Sequence, residues 1–276
     1  MSATRLAVLG SPIGHSLSPA LHAAAYDVLG LDWSYGLAEV GPGGLPAFLA
    51  GLDGDWRGLS LTMPLKQEVI PLLDSWSDLV GITRVANTVR VDGGRVRGWN
   101  TDVGGLTEGF RRHGVRSLLS VDILGAGATA QSAVAAVGVL GARDIELAVR
   151  NPARAGDAVA MGERLGIAVR LRGLDEPPSR APEAVISTLP NGIEIAPRYT
   201  PEQRHGSVLF DVAYDPWPTQ RASEWIADGG QVIPGVEMLM QQALKQVRIF
   251  VAGDSAVRLD REPEVVAAMR SAVGLD

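Results

Sequence analysis

Short apolar runs alternate with longer helical patterns along this chain, the rhythm of an α/β protein. Leu6-Ala7-Val8-Leu9 reads as a strand. Ser18-Pro19 then opens a helix that runs through Leu29, with Ser18 as N-cap, proline at the first helical position and Gly30 just past the end. Gly58 to Thr62 predicts a second strand, stopped by Met63-Pro64, and Lys66 to Leu73 a helix. From Val85 to Val91 apolar and polar positions alternate, the chain turns at Asp92-Gly93-Gly94 and it returns through Val96 to Trp99, a hairpin. A helix is expected from Val103 toward Gly114, and Val121-Asp122-Ile123-Leu124 is the next strand. An alanine-rich segment from Gln131 to Leu140 leads to another apolar run, Ile145 to Val149; Leu174 to Pro182, rich in proline and charge, reads as a loop. After a strand at Val232-Ile233, Met238 to Ala252 places Met238, Leu239, Ala243, Leu244, Val247, Ile249 and Phe250 among Gln, Lys and Arg residues, an amphipathic helix suited to return to the first domain. The pattern divides the chain into residues 1–103 plus 238–276 and residues 104–237.

Between the strand ending at Leu124 and the alanine-rich helix lies Gly125-Ala126-Gly127-Ala128-Thr129-Ala130. Gly125 suits the tight strand-to-helix turn, Gly127 lets backbone amides approach a pyrophosphate at the helix N-terminus, and Ala130 is small enough for the helix to pack on its strand. By itself such a turn also serves as an ordinary strand-helix connection. The second strand of the unit ends at Arg150, followed by Asn151, Pro152, Ala153 and Arg154. A carboxylate there would hold a free ribose 2′-hydroxyl, whereas a guanidinium grips a 2′-phosphate bidentately, so the cation favours NADP. Arg150 as a plain solvated charge at a strand end is the duller reading.

Composition narrows the class further. The 276 residues, 46% hydrophobic with 33 glycines, are enough for two α/β domains with many tight turns. With 31 acidic against 25 basic residues the net charge is −6, and the cations are scattered, which speaks against nucleic acid as a partner. No cysteine is present, so disulfides and thiolate metal sites are excluded, and His15, His22, His113 and His205 have no ligand spacing. No apolar run approaches membrane-spanning length or a signal core, so a cytoplasmic enzyme acting on a small molecule, as a monomer or homodimer, is expected.

Four further segments put polar groups beside predicted strand ends: Gly10 to Pro19, Leu61-Thr62-Met63-Pro64-Leu65-Lys66, Ala86-Asn87-Thr88 and Asn100-Thr101-Asp102. Ligands of open α/β sheets gather outside the carboxyl ends of strands. Hydroxyls, amides, one ammonium and one carboxylate suit a small polyhydroxylated acid. Taken singly each residue has a dull role: Ser18 a helix cap, Ser16 a loop hydroxyl, Lys66 a solvated charge, Asp102 a cap for the next helix, Tyr214 and Gln242 packing and surface residues.

Taken together, these motifs resemble the shikimate dehydrogenase family. Ser16 and Ser18 match its two hydroxyl donors to the substrate carboxylate, and Thr62-Met63-Pro64-Leu65-Lys66 its threonine, proline and catalytic lysine motif. Asn87 and Asp102 match an amide and a carboxylate that hold ring hydroxyls with the lysine. Asp211 to Thr219, containing Tyr214, resembles a further stretch of the family, and Gly235 to Ala243, containing Gln242, resembles its C-terminal signature. The resemblance extends from residue 10 to residue 243 in consistent order. Departures are Val149 and Asn151 around Arg150, Ser187 where an asparagine commonly opens the nicotinamide-side loop, and Ala128 where a third glycine is frequent.

The resemblance implies an N-terminal α/β substrate domain, a Rossmann-type doubly wound NADP-binding domain and an active site in the cleft between them. It also implies reversible NADPH-dependent reduction of 3-dehydroshikimate to shikimate, in chorismate and aromatic amino acid biosynthesis. Lys66 and Asp102 are then the catalytic pair, and Ser16, Ser18, Thr62, Asn87, Tyr214 and Gln242 the substrate contacts. Gly125, Ala126, Gly127, Ala128, Thr129, Ala130, Arg150, Asn151, Arg154, Thr188, Val212, Gly235 and Met238 are the expected cofactor contacts, with no metal. Two rivals stand beside this reading: a quinate or aminoshikimate dehydrogenase of the same architecture, and a non-catalytic dinucleotide sensor. Ser16 and Ser18 argue against the first, and retention of both Lys66 and Asp102 against the second.

Overall fold

The computed structural model describes residues 4–190, 192–193 and 199–275, without the side chain of Arg154. The chain forms two compact units, Met1–Gly104 with Leu239–Asp276 and Gly105–Met238, each crossing one residue later than the sequence boundaries.

In the first unit the elements are β1 (Thr4–Gly10), α1 (Ser18–Leu29), β2 (Trp33–Glu39), α2 (Leu45–Ala50), β3 (Trp56–Leu61), α3 (Leu65–Glu68), β4 (Ser75–Trp76), α4 (Asp78–Thr83), β5 (Thr88–Asp92) and β6 (Arg95–Trp99). They build one six-stranded sheet in the order β2-β1-β3-β5-β6-β4. Side chains on a strand alternate between faces. On β1, Leu6 accordingly joins Leu21, Tyr26, Val247 and Phe250 on one side, while Ala7 and Leu9 join Leu45, Leu65 and Val80 on the other. Strands β1 and β3 are parallel, and β5 is antiparallel to both β3 and β6. The C-terminal ends of β1, β3 and β6 therefore share one edge of the sheet with the N-terminal end of β5. Hydrogen bonds lock these ends together: Thr62 N–H to the Leu9 carbonyl at 2.8 Å, Leu61 N–H to Asn87 at 2.7 Å and Asn87 N–H to Trp99 at 3.1 Å. All four polar segments of this half of the sequence leave the sheet there.

Two local expectations need correction. Ser18 is itself the first helical residue, and the N-cap is Leu17, whose backbone is already helical at φ −82° and ψ −1°. The Ser18 amide is taken by Ser16 Oγ at 3.3 Å, so Ser16 does the capping work that Ser18 was expected to do. The helix expected over Lys66–Leu73 splits into α3 and a 3₁₀ turn over Ile70–Leu72. Pro71 lacks the N–H that a continuing α-helix would require.

The chain passes to the second unit within α5 (Asp102–Arg112). There follow β7 (Ser120–Leu124), α6 (Ala128–Val139), β8 (Asp144–Val149), α7 (Gly156–Arg164), β9 (Ala168–Gly173), β10 (Ala184–Ser187), α8 (Pro201–His205), β11 (Val208–Asp211), α9 (Gln220–Ala227) and β12 (Gln231–Pro234). All six strands are parallel, in the order β12-β11-β10-β7-β8-β9. This is the doubly wound order, and its topological switch point falls between β7 and β10. Burial on both faces explains why β7 and β8 read as continuous apolar runs. A polar cluster interrupts that core: Arg172 on β9 bonds Asp122 and Glu146 at 3.1 Å each and the Tyr199 hydroxyl at 2.8 Å. Burial pushes the Asp122 carboxyl up, against the pull of Tyr199 and Arg172. Leu174 to Pro182 is a loop, as expected, tied down by Ser179 to Glu146.

The return helix, α10 (Gly235–Ala252), starts three residues before the expected Met238 and is followed by α11 (Glu262–Ser271). Strand β12 runs straight into it at Gly235, where a Cβ would collide with the Val212 carbonyl oxygen. Only glycine fits that junction.

Candidate active site

Lys66 and Asp102 meet in the first unit, Nζ to Oδ2 at 2.7 Å, with side chains only 13% and 4% exposed. Lys66 is placed by α3, at the end of β3; Asp102 opens α5 just past β6. Charges so far from water need partners beyond each other. Asp102 has them: its Oδ1 accepts from Asn87 Nδ2 at 2.7 Å, and its own amide is held by Asn100 Oδ1 at 3.1 Å. The carboxylate is thereby fixed on both oxygens.

Asn87, buried just before β5, is the hub of this cluster. Its Oδ1 receives the backbone N–H of Thr101 at 2.8 Å, which can only donate, so the opposite edge must carry the NH₂ group. That NH₂ reaches Asp102, Thr101 Oγ1 at 2.9 Å and Gln242 Oε1 at 3.1 Å. Gln242, on α10, is anchored in turn by its Nε2 on the Leu239 carbonyl at 2.8 Å. Beneath lie Thr88, Gln246, Ser60, Tyr35 and His22, all hydrogen-bonded in series. Burial drives the His22 pKa down to about 3, with the Gln246 hydrogen bond opposing, so the imidazole is neutral.

Of the expected substrate contacts, Asn87 and Gln242 join the Lys66–Asp102 cluster directly. Ser16, half-exposed, sits on the loop after β1, Ser18, buried, opens α1 directly after it, and Thr62 lies at the end of β3 on the same sheet edge. Glu39 holds that loop through Ser11 Oγ at 2.6 Å and the Ile13 amide at 3.1 Å. Tyr214 is in the second unit, half-buried after β11. Thr101 is a member that the sequence reading left out, although its segment had been singled out.

The second unit holds the expected cofactor residues. Gly125 adopts φ +111°, and a Cβ there would lie 2.5 Å from Thr188 Oγ1, so glycine is required twice over. Thr188, just past β10, donates its hydroxyl to the Leu124 carbonyl at 2.8 Å, which joins the two loops at the switch point. Gly127 is the N-cap of α6 without any side-chain cap, and a Cβ on it would meet nothing within 4 Å. Among the described residues no side chain caps the first amides of this twelve-residue helix, at Ala128, Thr129 and Ala130, with Ala126 in the preceding turn. An anion is favoured at such an end. Arg150 is exposed at the end of β8 and has no ion pair among the described residues. Asn151 caps the following 3₁₀ turn through Ala153 N–H at 3.0 Å, an occupied role that the sequence reading did not foresee. The side chain of Arg154 lies outside the described residues. Val212 bonds its amide to Ser187, Gly235 packs on Val212, and Met238 is buried in the first turns of α10.

Comparison with known proteins decides the lineage. Residues 8–89 match the family model of the shikimate dehydrogenase substrate binding domain. A shikimate dehydrogenase (NADP(+)) of Geobacter sp. strain M21 is 35% identical over 88% of this chain and 88% of its own length. The chain belongs to the shikimate dehydrogenase family. Solved structures of the family agree along the whole fold. That of the Mycobacterium tuberculosis shikimate dehydrogenase is 34% identical, with a TM-score of 0.85 over 97% of this chain and 99% of the other. The Thermus thermophilus shikimate 5-dehydrogenase, solved in complex with NADP(H) and shikimate, is 30% identical, with a TM-score of 0.81 over 98% and 99%. As in the sequence reading, the family is two-domained α/β with a doubly wound sheet. Among the described residues no group of three or more His, Cys, Asp or Glu could hold a metal, and no helix is long and apolar enough to cross a membrane.

Proposed function

We propose that this chain is an NADP-dependent shikimate dehydrogenase, an oxidoreductase acting on a CH–OH group that interconverts shikimate and 3-dehydroshikimate. The observation that carries the reading is the Lys66–Asp102 pair, largely shielded from water and held by Asn87 among amides and hydroxyls. NADP supplies or takes up the hydride when bound. The protein's own residues orient the ring and handle the proton that accompanies it.

Lys66 Nζ spends one N–H on Asp102 and keeps two for the ring oxygen that changes between ketone and hydroxyl. It polarises that oxygen, donates a proton to it in one direction and accepts one in the other. Asp102 keeps the ammonium in place and receives the ring hydroxyls together with Asn87. Ser16 and Ser18 take the carboxylate, and Thr62, Tyr214 and Gln242 complete the ring contacts. Gly125 to Ala130 would hold the pyrophosphate and Arg150 the 2′-phosphate, with Asn151, Thr188, Val212, Gly235 and Met238 as the further residues that would contact the dinucleotide. The same reading makes the protein a cytoplasmic enzyme of small-molecule metabolism, monomeric or homodimeric.

A spectrophotometric assay at the wavelength of reduced nicotinamide, pairing shikimate or quinate with NADP or NAD, tests it. Reduction is expected with shikimate and NADP. Absence of reduction in every pairing would overturn the enzyme, and preference for quinate or for NAD would overturn the substrate or the role of Arg150.

A further inference from the structure

His22 lies on α1, fully buried, and its hydrogen bonds go to Tyr26 and Gln246 rather than to Lys66 or Asp102. Yet its protonation state and ring orientation follow from the cluster. Gln246 Nε2 donates to the Asn87 backbone carbonyl at 3.2 Å, an atom that can only accept, and to Thr88 Oγ1 at 3.1 Å. Gln246 Oε1 must then face the other way, where it meets Ser60 Oγ at 2.9 Å and His22 Nε2 at 3.3 Å. An acceptor oxygen requires hydrogen on that ring nitrogen. His22 is accordingly the Nε2–H tautomer, and its Nδ1 lone pair receives the Tyr26 hydroxyl at 3.0 Å.

The ring cannot turn to escape this arrangement. It stacks on Tyr35 with centroids 3.9 Å apart and 10° between planes. The Tyr35 hydroxyl donates to Ser60 Oγ at 2.7 Å. Two arms, Tyr26–His22 and Tyr35–Ser60, thus converge on one oxygen of Gln246. Beyond Gln246 the direction continues: Thr88, having accepted from Nε2, turns its own hydrogen to Asn87 Oδ1 at 2.9 Å, and Asn87 Nδ2 faces Asp102. Were the Gln246 amide reversed, its oxygen would oppose the Asn87 carbonyl and attract the Thr88 hydrogen away from Asn87. Unsatisfied polar atoms at this depth are costly, so such a series has one low-energy polarity.

We propose that His22 is a positioning residue for the Lys66–Asp102 pair: its Nε2–H holds the oxygen of the Gln246 amide that the Asn87 carbonyl orients, and Gln246, through that carbonyl and Thr88, supports Asn87 against the Asp102 carboxylate. The inference rests on the dehydrogenase reading above for its effect on turnover, but the tautomer of His22 is independent of any activity.

Steady-state kinetics with shikimate and NADP test the effect on turnover. His22→Phe keeps the ring stack and removes the donor; kcat is expected to fall about tenfold, the worth of one buried hydrogen bond, with KM for shikimate changed by less than about threefold. His22→Gln, whose Nε2 reaches the same oxygen, is expected to restore kcat to within about threefold of the parent. Thr88→Val cuts the same relay further on, so the double variant His22→Phe/Thr88→Val is expected to be no slower than the slower single one. A kcat for His22→Phe within about twofold of the parent, or losses that multiply in the double variant, would overturn the relay. Imidazole nitrogen NMR of the parent protein at neutral pH reads the tautomer directly and depends neither on turnover nor on the variants folding. An Nε2–H, Nδ1-lone-pair signature for His22 is expected, and the opposite tautomer or an imidazolium would refute the assignment. A parent enzyme inactive on shikimate would count against the proposed reaction and leave the NMR result to decide the hydrogen-bond order.

Discussion

The two units prepare for their ligands in opposite ways. Around Lys66 and Asp102 every charge is already paired and every amide already directed, in a site with little access to water. Around Gly127 and Arg150 the preparation is an omission: no cap on α6, no Cβ in the way, no partner for an exposed guanidinium among the described residues. Proton handling requires groups fixed to within a fraction of an ångström, which a dense hydrogen-bond network provides. Anion recognition needs donors with spare capacity, which a finished network would have consumed. The first site is therefore sensitive to loss of any member, and the second to addition of atoms.

The largest effect should come from breaking the first site at its ammonium. Lys66→Ala is expected to lower turnover by about 100- to 10,000-fold while KM for shikimate moves much less; near-normal kcat would remove Lys66 from the role. Next, Arg150→Ser should cost on the order of 10- to 150-fold in the ratio of kcat/KM for NADP over NAD, with the melting temperature unchanged because the residue is exposed. An unchanged ratio would place the 2′-phosphate elsewhere. Gly127→Ala sharpens the contrast between the two sites. Its new Cβ meets nothing in the fold, so stability should hold while KM for NADP rises about tenfold, the value of one charged hydrogen bond disturbed. A fall in melting temperature with normal KM would contradict it.

A further prediction concerns acid stability. In the unfolded chain His22 titrates near 6.5, in the fold near 3, because burial disfavours the imidazolium. Between these values the unfolded state binds the proton and the native state does not, so stability falls as pH drops below about 6.5 and levels off below about 3. The loss is about 1.4 kcal/mol per pH unit, or about 2 kcal/mol at pH 5. Urea unfolding of the parent and of His22→Gln, which lacks the titrating group, should show their difference in stability shrinking by that amount between about pH 6.5 and pH 5. Parallel pH curves would mean that His22 titrates normally.

The parts of the fold with strong period were legible in the sequence. Strands β1, β7 and β8 are apolar runs because helices cover both sides of their sheets, and the β5–β6 hairpin announced itself by alternation and the Asp92-Gly93-Gly94 turn. Strand β2 went unrecognised: it is the sheet's edge, has Gly36 in its middle and buries no residue fully. Helix α11 was overlooked too, for its buried residues are only Val265 and Met269 among charged neighbours. In the candidate site, Lys66, Asn87 and Asp102 were legible as segments at strand ends. His22 has no ligand spacing in the sequence, although Tyr26 stands four residues on and bonds it; Gln242 and Gln246 show the same spacing on α10.

Residue type and local spacing were enough to name the candidate groups, the glycine turn with its cation and the lysine and carboxylate, and their order was enough to place the chain in its family. The folded chain was needed to show that Asn87, Thr101 and Gln242 converge on Asp102, that Arg150 stays unpaired among the described residues, and which way each buried amide points. Gln246 lies 159 positions from the Asn87 carbonyl that orients it, and no local pattern encodes a direction set by so distant a partner.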